Sequence, residues 1–395
     1  MTQAFHQIPV ARPVLDEKEA LAAQRVVLSG WVTQGPEVAA FEREFAELVG
    51  APFACAVSNC TTALHLALMA VGVGQGDEVI TVSHSFIATA NAIRYCGATP
   101  VFIDIESQGF NIDPNLIEAA ITPRTKAIMC VHQLGMPCDL GRIVEIGKQR
   151  SIPVIEDAAC AIGSEILWNG MWEKIGAPRG DIACFSFHPR KVITTGDGGM
   201  LTTGNADHDR QFRLWRQHGM SVTDAVRHGS KSVIYENYDM IGYNYRMTDL
   251  QAAIGREQLR RLPDIIASRR RIADQYAEQL QYVDGITLPV EPQWARSNWQ
   301  SYGVQLPPWA DQRATMQALL DRGISTRRGI MNSHLEKAYS APGSCRLSGD
   351  MQLSTRAQIG TIILPLFAQM TAAEVSLVVD TLAEVVGQPV QLAQA

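Results

Sequence analysis

The sequence has no CxxC pair and no zinc-type ligand spacing, although it contains eight cysteines. Thioredoxin-like chemistry and a metal site are therefore not expected. Most of the cysteines (Cys55, Cys60, Cys96, Cys130, Cys138, Cys160, Cys184 and Cys345) sit inside apolar runs, where reduced thiols act as small hydrophobes. No apolar stretch reaches the roughly 20 residues of a membrane span. The start, MTQAFHQIPVARP, lacks the basic cluster and apolar run of a leader, so the expected address is the cytoplasm. A basic excess is missing too. The net charge is −6, which argues against non-specific nucleic-acid binding. There is no internal repeat and no low-complexity tract.

What is present is enough apolar sequence for more than one core. The chain has 395 residues, 46% of them hydrophobic, so a large α/β domain with a smaller partner is expected. Short apolar runs recur at 54–58 (ACAVS), 78–82 (EVITV), 99–104 (TPVFID), 126–131 (KAIMCV), 152–157 (IPVIED) and 182–187 (IACFSF). Their lack of polar alternation suits strands buried on both faces. Periodic stretches such as TALHLALMAVGV and DLGRIVEIGKQR read as crossover helices, so the fold class is α/β with a mostly parallel, doubly covered sheet. Residues 248–284 read as long helix, with Pro263 expected to break or kink it. Beyond it lie a strand-like piece, SYGVQL, and helical QRATMQALLDRG and AAEVSLVVDTLAEVV. The division expected is 1–255 for the large domain and 256–395 for a small α+β domain.

Ligands of such sheets bind beyond the carboxyl ends of the strands. After the first run, Ser58-Asn59-Cys60-Thr61-Thr62 opens a helix, and a helix start suits a phosphate. The plainer alternative is simple capping. After the second, Phe86 could stack on a flat ring or belong to the core. After the fifth, Asp157 is a carboxylate that needs a partner if buried, or a helix cap. After the sixth comes HPRK and then a Gly-rich turn, which places Lys191 where a desolvated amine could meet an aldehyde. Its alternative is a surface lysine. Taken together, an anion site, a ring stacker, a carboxylate and an amine are what pyridoxal 5′-phosphate (PLP) requires.

The strings SFHPRKVITTGDGGM, IEDAA, GYNYRMTDLQAAIG and GWVTQGPEVAAFEREFA resemble the DegT-type sugar aminotransferase family. That family lies within the fold-type I PLP superfamily and includes perosamine synthases. The resemblance runs from about residue 8 to 385. It implies Lys191 as the Schiff-base lysine, Asp157 as partner of the ring nitrogen, and Ser186, Thr61 and Thr62 as phosphate ligands. It implies Phe86 as the ring stacker and Asn244 as a residue reaching the phosphate of the other subunit of a homodimer. Cys160 stands where the family often has a Gln that contacts the cofactor, and Cys60 where it has Gly. His188, Arg327, Arg328 and His334 fall where the family approaches substrate, or in a solvated basic turn. The implied reaction moves an amino group from glutamate or glutamine to a keto sugar, such as a nucleotide-linked one used in polysaccharide or antibiotic sugar biosynthesis. A cyclitol (inosose) aminotransferase is the alternative on the same scaffold. A dehydratase relative would carry histidine in place of Lys191. A cofactor-binding regulator is disfavoured by the intact lysine, aspartate and serine.

Overall fold

The computed structural model describes residues 7–222, 227 and 230–387; the outer ends of both expected domains, 1–6 and 388–395, lie outside the described residues. Five strands come first: β1 (Phe53–Val57), β2 (Glu78–Val82), β3 (Thr99–Ile103), β4 (Thr125–Val131) and β5 (Val154–Asp157). A hairpin of β6 (Glu165–Trp168) and β7 (Met171–Lys174) leads to β8 (Ile182–Ser186) and β9 (Gly199–Thr203). Later come β10 (Ala295–Arg296), β11 (Tyr302–Gln305), β12 (Arg327–Arg328), β13 (Arg346–Leu347) and β14 (Thr361–Leu364). Each of the six apolar runs forms a strand of the main sheet.

That sheet runs β1-β9-β8-β5-β4-β2-β3-β13. The pairings from β8 through β5, β4, β2 and β3 to β13 are parallel, whereas β9 is antiparallel to both β1 and β8. Neighbouring residues on one strand feed opposite cores. Ile80 and Ile128 join a cluster with Phe41, Phe45 and Phe185, while Val79 and Met129 join one with Cys55, Leu64 and Leu66. Two buried faces remove the polar alternation, and each large side chain so buried contributes about 1.5–3 kcal/mol. Crossover helices Cys60–Ala70, Ala88–Tyr95 and Leu140–Arg150 return the chain between parallel strands.

The long helix spans Asp249–Leu280 and continues through Pro263 rather than breaking there. Leu259 and Leu262 before the proline, and Ile265 after it, are all held in the main core, and this burial outweighs one lost backbone bond. Further on, Ile272, Ala273, Tyr276 and Leu280 belong to a second core with Tyr302, Val304, Ile362 and Leu364. The cores therefore divide inside this helix, between Ile265 and Ile272, a little beyond residue 255. The second core also takes Ile8 from the opposite end of the chain, and Ile8 bridges to Ile324. Strands β11, β14 and β12 form its antiparallel sheet.

Candidate active site

A cleft of about 450 Å³ lies beyond the carboxyl ends of β1, β2, β5 and β8, with Arg327, Arg328, Ile363 and Leu364 of strands β12 and β14 on its far wall. Thr61, Phe86, Asp157, Cys160, Ser186, His188, Lys191, Arg327 and Arg328 line it, whereas Thr62, His334 and Asn244 do not.

The end formed by β1 is the start of a helix that opens on the cleft. Asn59 caps the helix Cys60–Ala70, its side chain accepting from Thr62 N–H at 2.9 Å. The Thr62 hydroxyl donates to Asn59 O at 2.7 Å, so Thr62 is absorbed by the cap. Thr61, one residue earlier, faces the cleft. Ser186 ends β8 on the same wall, and its Oγ accepts from His188 N–H at 3.5 Å. Gly199 lets β9 pass this close. A Cβ there would lie 2.4 Å from the carbonyl carbon and oxygen of Asn59 and 2.8 Å from Cys60 N.

Asp157 ends β5 and is 4% exposed. Its carboxylate accepts from Thr89 Oγ1 at 2.7 Å and from Ala159 N–H at 3.2 Å. Burial pushes this carboxyl up from its ordinary range; the Thr89 hydroxyl, the Ala159 N–H, Lys191 and His132 oppose it without cancelling it. A cation facing Asp157 across the cleft would therefore be well received. Thr89 was not foreseen. It lies four residues after Ser85, whose Oγ is 2.8 Å from its own, and nothing in the sequence marks that pair.

Lys191 sits on the loop between β8 and β9. That loop is closed by Lys191 N–H to His188 O at 2.8 Å, Thr195 N–H to Phe187 O at 3.0 Å and Phe187 N–H to Gly198 O at 2.9 Å. Its Nζ donates to Cys160 Sγ at 3.1 Å. Burial pulls the ammonium down, but the Cys160 sulfur, and after it Asp157, outweigh it and hold the ammonium above its ordinary value. The Cys160 loop is itself fixed from the small domain, since Asn298 Nδ2 donates to Cys160 O at 2.8 Å and to Ile162 O at 2.9 Å.

Phe86 is 65% exposed although it follows a wholly buried strand. An aromatic ring left open at a cleft is not core packing and leaves its face free to a flat ligand. The mouth is basic. Burial, Arg190 and Arg328 all lower the Arg327 guanidinium from its ordinary value. No carboxylate among the described residues pairs with Arg190 or Arg327, while Arg328 has Glu336 at 3.6 Å. Burial and Arg190 likewise depress His188. Gln300 joins this wall through a bond from Nε2 to Arg190 O at 3.0 Å, and its remoteness in sequence hides it.

Two expected residues lie elsewhere. His334 is engaged with Ser83, Nδ1 to Oγ at 2.7 Å, and ties the small domain to the end of β2. Asn244 is exposed, in a segment whose backbone bonds to Arg216 and His218. Its neighbours Tyr243 and Tyr245 stack at 4.8 Å and pack on buried His65, which suits a side chain turned outward between them. In the same motif, Asp249 accepts from the N–H groups of Gly35, Glu37 and Val38 at 2.8–3.2 Å. It thus caps the helix Pro36–Val49.

Among the described residues no group of three or more His, Cys, Asp or Glu is placed to hold a metal ion, and no helix is long and apolar enough to cross a membrane. The cleft does fit PLP: an open helix start, an exposed ring, a buried carboxylate raised by burial, and an amine.

Comparison with known proteins agrees. The chain is 36% identical over 385 residues to the spore coat polysaccharide biosynthesis protein SpsC of Bacillus subtilis, covering 96% of this chain and 97% of that one. It resembles the aminotransferase TlmJ from Streptoalloteichus hindustanus, with TM-score 0.87 and 33% identity over 96% of this chain and 99% of that one. It also resembles the putative sugar aminotransferase Spr1654 from Streptococcus pneumoniae in its PMP form, with TM-score 0.89 and 27% identity over 97% of this chain and all of that one. The fold-type I architecture follows, and the enzyme is an aminotransferase. With residues 13–383 matching the family profile, the chain belongs to the DegT/DnrJ/EryC1/StrS aminotransferase family.

Proposed function

We propose that this enzyme uses PLP held at Lys191 to transfer an amino group from glutamate or glutamine to a nucleotide-linked keto sugar. The observation that carries the reading is the convergence of Lys191, Asp157, Phe86 and the Cys60–Thr61 helix start on one cleft. Spr1654, a structural neighbour, is known in both PLP and PMP forms.

When bound, PLP supplies an electron sink for the carbanion formed at the amino acid's α-carbon. Asp157 keeps the proton on the ring nitrogen. The first-turn N–H groups at Cys60 and Thr61, with the hydroxyls of Thr61 and Ser186, bind the phosphate. Phe86 covers one face of the ring, and Cys160 stands beside the lysine. Lys191 would hold the cofactor through its amine and, when that amine is free, would move the proton at the donor's α-carbon. Asn244 completes the partner's phosphate site in a homodimer. Eight free cysteines suit the reducing cytoplasm.

The basic mouth supports an anionic acceptor. Arg190 and Arg327, with Arg328 and His188 beside them, repel one another until a phosphate-bearing ligand arrives. A diphosphate linkage supplies that charge, whereas a neutral inosose does not. Glutamate should bleach the visible band of the PLP-loaded protein. Nucleotide-linked 3-keto and 4-keto sugars should then restore it and become aminated. Amination of free inososes alone would overturn the acceptor, and an unchanged band with every amino donor would overturn the transamination.

A further inference from the structure

The Lys191 amine touches a group that transamination does not use. Cys160 Sγ lies 3.1 Å from Nζ, and Cys160 is half-buried on the cleft wall, so small solutes reach it. Both residues stand on fixed backbone. Asn298 holds the Cys160 carbonyl, and the Lys191 loop closes on Phe187 and His188. The pair therefore meets without rearrangement of the main chain. A second cleft thiol makes a useful contrast. Cys60 is buried, and burial followed by the nearby Asp157 charge pushes it well above the ordinary thiol value. It stays protonated and inert, because the thiolate is the reactive form.

We propose that Cys160 and Lys191 form an oxidation-sensitive pair, in which a peroxide joins sulfur to nitrogen and withholds the lysine amine until a thiol releases it. In the first step the Cys160 sulfur attacks hydrogen peroxide. The O–O bond breaks, sulfur takes one oxygen and loses two electrons, and the other oxygen leaves as water. In the second step Nζ first gives its ammonium proton to solvent and then, as the free amine, attacks the sulfenic sulfur. An N–S bond forms, the S–O bond breaks, and a second water carries away that oxygen with an Nζ proton. One thiol, one amine and one peroxide become one sulfenamide and two waters. A reducing thiol reverses the bond by attacking sulfur, and Nζ departs as the free amine.

The consequence concerns loading. A chain with its amine tied to sulfur cannot take PLP covalently, and a lysine already engaged by cofactor cannot form the link. The inference rests on the Lys191–Cys160 contact and not on the identity of the acceptor.

The test uses full-length protein, PLP-loaded and cofactor-free, exposed to hydrogen peroxide and digested with trypsin. A modified Lys191 blocks cleavage after it, so the expected product joins peptide 151–174 to peptide 191–210. It should weigh two hydrogens less than the sum of the two and vanish on treatment with dithiothreitol. Its yield should be at least about tenfold higher without PLP, since the engaged amine is no nucleophile. Equal yield in both forms would support the pair and overturn Lys191 as the cofactor lysine, which keeps the two readings separable. Cys60→Ser should keep the link and Cys160→Ser should abolish it. Lys191→Arg should leave Cys160 as a sulfenic acid captured by a 1,3-diketone probe. A link that persists in Cys160→Ser would overturn the proposal. So would captured sulfenic acid with no linked peptide in the cofactor-free wild-type chain.

Discussion

Asp157→Asn removes a buried charge and preserves the shape of the side chain. The local network can absorb the change. Ala159 N–H reaches one carboxylate oxygen at 3.2 Å, and Thr89 Oγ1 reaches the other at 2.7 Å. With Asn, Oδ1 stays under Ala159 and Nδ2 donates to Thr89. The Thr89 proton then turns to Ser85 Oγ, 2.8 Å away. The second Nδ2 hydrogen and the released Ser85 proton have no protein acceptor, but Asp157 and Ser85 both line the cleft, so solvent meets them in the cofactor-free chain and the usual penalty of roughly 1–3 kcal/mol does not arise. The sign of the stability change follows from burial. The folded carboxyl is raised above its ordinary 3.8, so the folded cofactor-free chain holds this proton to higher pH than the unfolded chain does. The contribution of Asp157 is therefore full below that value and is lost as pH climbs through the raised one. Asn erases this slope. At about pH 4 the cofactor-free variant and wild type should melt together, and at neutral pH the variant should lead by about 0–2 kcal/mol. Turnover moves the other way. A cation about 4 Å from a carboxylate at an effective dielectric near 20 gains roughly 4 kcal/mol, so turnover should fall about a thousandfold. Thermal melts of the cofactor-free proteins across that pH range and steady-state amine transfer by the loaded enzymes measure both. Near-wild-type turnover would refute the pairing, and a variant markedly less stable at neutral pH would refute the network argument.

Lys191→Ala should abolish both turnover and the borohydride-trapped covalent adduct with PLP, because no second lysine among the described residues lines the cleft; trapping at wild-type yield refutes the assignment. Gly199→Ala should cost about 1–3 kcal/mol by overpacking against the Asn59 and Cys60 backbone, read as a lower melting point together with weaker retention of PLP. An unchanged melt would mean that β9 can move away from the helix start. Mixing Lys191→Ala chains with Asn244→Ala chains should restore about a quarter of wild-type activity per chain once they exchange. Half of randomly assembled dimers are then mixed, each with one doubly lesioned site and one intact site. No recovery despite proven exchange, or a fully active monomer, refutes the shared site.

The parts legible in the sequence were those where burial leaves a one-dimensional trace. A strand covered on both faces reads as an unbroken apolar run, so 78–82 and 182–187 were visible. Strand β9 was not, because it opens on Gly199, directly after Gly198, and that pair reads as a turn. Gly199 serves close packing beside Asn59, and Gly198 close packing against Thr195 and Met247. Pro263 was expected to break or kink the helix, which instead runs on through it, because the sequence does not reveal which leucines and isoleucines on either side of it share one core. The same limit applies at the site. Thr61 and Thr62 are indistinguishable as letters, yet helix geometry turns one to the cleft and the other into the cap. His334 resembled a substrate ligand because its bond to Ser83, 251 residues away, has no local signature. Thr89 and Gln300 escaped for the complementary reason, since each matters only through a partner that the fold supplies. Motifs therefore picked out residue types at strand ends that the fold brings to one cleft. Which neighbour holds each reacting group, and which cysteine stands against the lysine, depends on contacts between segments far apart in the chain.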